Sequence, residues 1–151
     1  MAEGIFRREI AKAGLQDRVT IDSAGTHSYH IGEPPDVRAQ SAIGRRGVDI
    51  SGLRGRQVAD ADFDGFDYIL AMDDSNLAIL RRNAPAHAHE KIRLLLSYSR
   101  KYPNQEVPDP YYGGAKGFDE NLDMIEDAVA GLISALRDSL SDANLVANLS
   151  T

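Results

Sequence analysis

The chain has 151 residues, enough for one α/β domain with a buried core. Hydrophobic residues make up 42% of it, a globular composition, and a formal net charge of −6 argues against a nucleic-acid surface, which needs a basic footprint. Cysteine is absent, which excludes disulfides, thiolate metal sites and a thiol nucleophile among these residues. No apolar run approaches the length of a membrane span, so neither membrane nor nucleic acid is expected as a partner, and the cytoplasm is the default location.

Met1 to Ala13 reads as a helix, with Ala2, Ile5, Phe6, Ile10 and Ala13 on one face and Gly14 as its stop. Arg18 to Asp22 is a short β-type run that ends in the small-residue turn Ser23-Ala24-Gly25-Thr26. A loop from His27 to Pro35 follows. Asp36 can then cap a second helix to about Arg46, with Val37, Ala39, Ala42 and Ile43 turned inward. Val48 to Gln57 is irregular and basic, and Asp62-Phe63-Asp64 reads as a turn. Phe66 to Met72 is an apolar, β-forming run of the buried kind. Asp73, Asp74 and Ser75 offer caps for a third helix carrying Leu77 and Leu80, and Ile92 to Leu96 is another strand. The last helix runs from about Gly117 to Leu140, with a 3.6-residue stripe from Phe118 through Leu140. Residues 141–151 read as a tail. Strands alternating with helices predict a single α/β domain, a parallel sheet with helices on both faces. Ligands in such sheets bind outside the carboxyl ends of the strands, where Ser23–Gly25, Asp73 and Asp109 all fall.

One stretch stands apart: Glu106-Val107-Pro108-Asp109-Pro110-Tyr111-Tyr112-Gly113-Gly114. Each proline fixes its own φ and pushes the residue before it out of the α region, so Asp109 is held on a stiff, extended loop. An aimed acid beside two aromatic residues suits a site that protonates a leaving group next to a flat ring. A surface turn whose aspartate caps a neighbour is the plainer alternative. Elsewhere, Arg54 and Arg56 read as arginines bonding their own loop, and Asp73 as a helix cap. His27 and His30 read as loop residues. His87 and His89 lack a third ligand in pattern, so no metal site is assigned and no cofactor is expected.

Taken together, the pieces resemble the low-molecular-weight protein-tyrosine phosphatase family. They are Met1-Ala2-Glu3-Gly4, Asp22 to Thr26, Gly32 to Arg38, Gly47 to Ser51, Arg54 to Gln57, Ala71-Met72-Asp73 with Asn76, and Val107 to Tyr112. They come in family order and cover residues 1–140, the extent assigned to the domain. The resemblance implies that Asp109 is the general acid, and later the base that activates water. It implies that Tyr111 and Tyr112 wall the substrate ring, and that Ser23 supports the phosphate loop. The implied substrate is a phosphotyrosine protein or an aryl phosphate.

The family begins with a strand and a loop of the form Cys-x5-Arg-Ser-Pro, which lead into the helix that starts here at Met1. This sequence has neither, and its Met1 resembles the family's internal methionine, so an N-terminally truncated, inactive chain is expected. A non-catalytic interaction module or remnant is the alternative, and an arsenate-reductase-like role a further one that needs thiols. In the family the absent strand is central. The strands at 18–22 and 66–72 are therefore expected to lose ladder partners, with orphaned groups costing about 1–3 kcal/mol each, and a dimer through these unpaired strands is expected. Asn144 to Asn148 is the weaker candidate for a replacement strand.

Overall fold

The computed structural model describes residues 1–112, 114–139 and 145–150; for Tyr112 and residues 145–150 only the backbone is described. The elements in chain order are α1 (Ala2–Lys12), β1 (Val19–Ala24), α2 (Val37–Gly44), α3 (Asp60–Gly65), β2 (Tyr68–Ala71), α4 (Asp74–Asn83), β3 (Ile92–Leu94), α5 (Gly114–Ser139) and β4 (Leu145–Ser150). The strands form one sheet in the order β1-β4-β2-β3, with every adjacent pair parallel.

Alternation along β2 shows how both faces are covered. Leu70 and Met72 pack with Ile5, Phe6, Ile43, Ile125 and Leu132, in the layer built from α1, α2 and α5. Ile69 and Ala71 pack with Phe63, Leu80 and Ile92, in the layer of α3 and α4. This two-sided burial is why β2 reads as a continuous apolar run. The stripe on α5 buries Phe118, Leu122, Ile125, Val129, Leu132 and Leu136 against the first layer. Gly131 sits where α5 crosses the 3₁₀ turn Leu95–Tyr98; a Cβ there would come within 1.9 Å of the Tyr98 carbonyl oxygen.

Several local expectations are corrected. Val37 opens α2 as its first residue and is 77% exposed, outside the inward set of Ala39, Ala42 and Ile43. The turn expected at 62–64 is the short helix α3, because Asp62 accepts a bond from the Ala59 N–H at 2.8 Å and so closes its first turn. The run from Ile92 to Leu96 is strand only to Leu94 and then tightens into the 3₁₀ turn.

The largest correction is at the C-terminus. Residues 145–150, assigned to the tail with 144–148 as the weak candidate for a replacement strand, form β4 in the centre of the sheet. Val19–Ala24 pair with Leu145–Ser150, and Tyr68–Ala71 pair with Ala147–Ser150. The edges of β1 and β2 are thus paired, and the orphaned groups expected there do not arise. Leu145-Val146-Ala147-Asn148-Leu149-Ser150 is short and one-third polar, so local propensity undervalued it. Two open strand edges supply what propensity lacked, since backbone N–H and C=O groups need partners whatever side chains lie beside them.

Candidate active site

The cleft opens at the carboxyl ends of β1 and β2. On one side, α1 begins without a side-chain cap, and the positive end of its backbone dipole faces the opening. Its first turn carries Glu3, 5% exposed, which binds two neighbours at once. Arg7 donates to Glu3 Oε1 through Nε at 2.9 Å and Nη2 at 2.7 Å, and the Ser23 hydroxyl donates to Glu3 Oε2. Arg7 Nη2 also donates to the Ile21 carbonyl at 2.5 Å. These bonds lock the start of α1 onto the end of β1 and fix Ser23 beneath the cleft.

On the other side, the Asp109 loop is tied down at each end. The Val107 N–H donates to the Met72 carbonyl at 2.8 Å, and Glu106 Oε1 accepts the Asp74 N–H at 2.7 Å. From α5, buried Asn121 donates through Nδ2 to the Pro108 carbonyl at 2.5 Å. Beyond the acid, Asp109 Oδ1 accepts the Tyr111 N–H at 2.9 Å, an Asx turn that orients the carboxylate. The Arg38 guanidinium lies 4.7 Å from the Tyr111 ring centroid and 5.5 Å from that of Phe118, and Arg38 donates to the Tyr111 carbonyl at 3.3 Å. Arg38 is itself held by Asp36, the cap of α2. The Arg38 side-chain and backbone bonds pull the Asp36 carboxyl down to about 2.

Asp109 joins both sides. It lines a cavity of about 490 Å³ together with Met1, Glu3, Ser23, Arg54 and Tyr111. It also lines an adjoining cavity of about 270 Å³ with Met1, Asp73, Asn76 and Asn121. Ser23, Asp109 and Tyr111 are therefore brought to one opening. The side chain of Tyr112 lies outside the described residues. Asp73 is a cap, accepting the Asn76 N–H at 2.7 Å. Arg54 donates to the carbonyls of Ser51 and Leu53, while Arg56 grips Asp62 and Asp22 through its fork. The Asp62 bond is the main cause of an Arg56 pKa raised above its ordinary value. His30 Nδ1 lies 2.7 Å from Glu33, and His87 Nε2 lies 2.8 Å from Asp64. Among the described residues no group of three or more histidine, aspartate or glutamate side chains could hold a metal ion.

Three residues of this site escaped the sequence reading: Glu3, Arg38 and Asn121. Asn121 left a signal, since it interrupts the apolar face of α5 between Phe118, Leu122 and Ile125. A polar residue on a buried stripe usually has a specific partner. Glu3 stands four residues before Arg7, which reads as a surface pair until β1 covers it.

Fold and cleft define a parallel α/β domain with a cavity at the carboxyl ends of β1 and β2, lined by the Asp109 carboxylate and the N-terminus of α1. Comparison with known proteins narrows this further. The family model described as low molecular weight phosphotyrosine protein phosphatase matches residues 1–142. The low molecular weight protein-tyrosine-phosphatase YfkJ of Bacillus subtilis is 39% identical over 137 residues, covering 91% of this chain and 86% of that protein. The human low molecular weight phosphotyrosine protein phosphatase is 41% identical over 123 residues, covering 79% and 75%. A crystal structure of a protein tyrosine phosphatase from Entamoeba histolytica superposes with a TM-score of 0.88 at 38% identity, covering 91% of this chain and 88% of that one. The chain belongs to the low-molecular-weight phosphotyrosine protein phosphatase family, which acts on phosphotyrosine proteins.

Proposed function

We propose that this chain provides the proton-donor half of a cytoplasmic phosphotyrosine-hydrolysing site, and that the 151-residue protein by itself does not hydrolyse its substrate. One observation carries the reading: Asp109 lines the same cavity as the uncapped start of α1 and Ser23. A phosphate ester placed there would meet the positive end of a helix, and its aryl oxygen would face an acid on a braced loop. The exposed ring of Tyr111 gives an aryl group a surface to stack on. Attack on phosphorus needs a nucleophile, and a chain without cysteine has no thiolate to supply it. Ser23 does not substitute, because its hydroxyl proton is committed to Glu3, and no histidine bonds it among the described residues. Self-association belongs to the same proposal; with the edges of β1 and β2 occupied, it requires β4 to leave its slot.

The test is hydrolysis of p-nitrophenyl phosphate by the purified chain and by Asp109→Asn. The expected result is no turnover above blank for either protein. The chain is then fused behind an apolar strand and a Cys-x5-Arg-Ser-Pro loop. The fusion is expected to hydrolyse the ester, and Asp109→Asn to slow it by about 10²–10⁴-fold. Turnover by the unfused chain that Asp109→Asn abolishes would overturn the reading, as would an active fusion indifferent to that change.

A further inference from the structure

We propose that the cavity at the amino ends of β2 and β3 is a second ligand site, shaped and charged for a small aromatic zwitterion of the aromatic amino-acid type. It lies at the opposite end of β2 from the Asp109 cleft and stands independently of the function proposed for that cleft.

The cavity measures about 470 Å³, close to the larger cavity of the cleft and ample for a small ligand. Its apolar corner is made by Tyr68, the first residue of β2, and Tyr98, the last of the 3₁₀ turn Leu95–Tyr98. Their ring centroids lie 6.4 Å apart, with the planes tilted by 58°. A flat ring entering this corner can stack on one tyrosine and present its edge to the other, the two arrangements that aromatic groups prefer. Both tyrosines are partly exposed, so the corner is open to a guest. The Tyr98 wall is preorganised, because Gly131 lets α5 close onto the Tyr98 backbone with no Cβ between them. One turn further along α5 the wall is Ala135, whose short side chain leaves the space over the rings unfilled. Burial, opposed by the nearby Arg93 guanidinium, pushes the Tyr98 phenol up, so its hydroxyl stays a neutral donor.

The rim selects the head group. Glu90 and Arg93 both line it, and both are exposed. Arg93 Nε donates to the Glu90 carbonyl at 3.4 Å, so the two side chains spring from one corner of the rim. The guanidinium and the Glu90 carboxylate are not paired with each other, and neither has an ion-pair partner among the described residues. The remaining charges are Lys91, which donates to the Phe63 carbonyl at 2.9 Å, and Asp67. The lining is therefore balanced, two cations against two carboxylates. An aryl anion would meet both carboxylates, and an aryl cation both positive groups. A ligand carrying a carboxylate and an ammonium side by side satisfies the rim, with its carboxylate in the Arg93 fork and its ammonium against Glu90.

The chain contains no tryptophan, so L-tryptophan serves as the probe and reports through its own fluorescence. It is titrated with the 151-residue protein beside tryptamine, which lacks the carboxylate, and indole-3-propionate, which lacks the ammonium. The expected result is saturable binding of L-tryptophan, with each analogue at least about tenfold weaker. Arg93→Gln removes the fork, and Ala135→Leu fills the space over the rings; each should weaken L-tryptophan binding at least about tenfold. Arg93 is exposed, so Arg93→Gln keeps the fold whatever Ala135→Leu does to it, and thermal melts check both. Tyr111→Ala, which removes the aromatic surface of the cleft, locates the site. No saturable binding, equal binding of the three indoles, binding indifferent to Arg93→Gln, or binding lost in Tyr111→Ala and kept in Arg93→Gln would each overturn the proposal.

Discussion

Asn121 is where the structure makes its sharpest demand on a single side chain. It is 2% exposed, sits on the apolar stripe of α5, and gives one amide proton to the Pro108 carbonyl at 2.5 Å. Asn121→Ala deletes that bond and leaves a small void. Pro108 itself is exposed, so water can reach its carbonyl, and the desolvation penalty falls at the low end of its range. Lost bond and void together predict a cost of about 1–2 kcal/mol. Asn121→Asp keeps the shape but aims a carboxylate at a carbonyl oxygen from a buried position, with no cation bonded to Asn121 among the described residues. Burying an unpaired charge predicts a loss of about 3 kcal/mol or more at neutral pH, relieved as the pH falls and the acid takes a proton able to bond Pro108. Denaturant melts at pH 7 and pH 4 measure both. The difference between the two variants should narrow at pH 4, because only Asn121→Asp recovers. Equal losses for the two variants at pH 7, or no pH dependence for Asn121→Asp, would refute the claim that this amide is what holds the Asp109 loop to α5.

Four further outcomes follow from the same reasoning. Gly131→Ala gains up to about 1 kcal/mol of helix propensity but drives a Cβ against the Tyr98 carbonyl, so a net loss of about 1–3 kcal/mol is expected; a raised Tm would contradict that packing. Glu3→Ala should cost about 1–2 kcal/mol through the lost bonds to Ser23 and Arg7, since the half-exposed Arg7 and the cleft-lining Ser23 can both be rehydrated. A double-mutant cycle with Ser23→Ala should show a coupling of about 1 kcal/mol, and strict additivity would deny the link. Asp36 has a folded pKa of about 2, below its ordinary 3.8, so its contribution is complete above pH 3.8 and is lost as the pH falls through about 2; Asp36→Asn should flatten the stability curve in that window and leave its slope near neutrality unchanged. Asp127, lowered first by the Ser99 hydroxyl and then by the Lys101 and Arg100 backbone N–H groups, should act in the same direction, with Asp127→Asn flattening the curve below the ordinary carboxylate range.

Most of the architecture was legible because periodicity and caps are local. The α5 stripe, the Asp36 and Asp73 caps and the apolar β2 run each state their role within a few residues. The Asp109 loop was legible for the same reason: two prolines write its stiffness into the sequence. What escaped was set by distance. Nothing near Glu3 says that β1 will bury it under Ser23, and nothing in the residues of β4 themselves marks a central strand; 144–148 became a candidate only through the partners missing from two strands more than seventy residues upstream. Val37 failed differently. It fits the apolar face of α2 by spacing, yet opens the helix at the rim of the cleft, where no layer lies above it to bury it.

The strand that closes the sheet also sets the geometry of the site. Ser23 and the start of α1 belong to the β1 side of the slot, and Asp73 and the Met72 anchor of the Asp109 loop belong to the β2 side. β4 ends at Ser150, in register with Ala24 and with Ala71, immediately below both. Adjacent strands of a sheet lie about 4.8 Å apart, so β1 and β2 are held about 9.6 Å from each other by whichever strand stands between them. That spacing sets how far the anchor of the Asp109 loop stands from the start of α1. α5, which packs on α1 and reaches the Asp109 loop through Asn121, is the second brace. A strand of any origin that fills the slot keeps β1 and β2 at that spacing. An empty slot would leave the two sides of the cleft joined by α5, by core packing and by side-chain bonds such as those of Arg56 to Asp22 and Asp62 and of Asn76 to Thr26, without the backbone ladders that set their spacing.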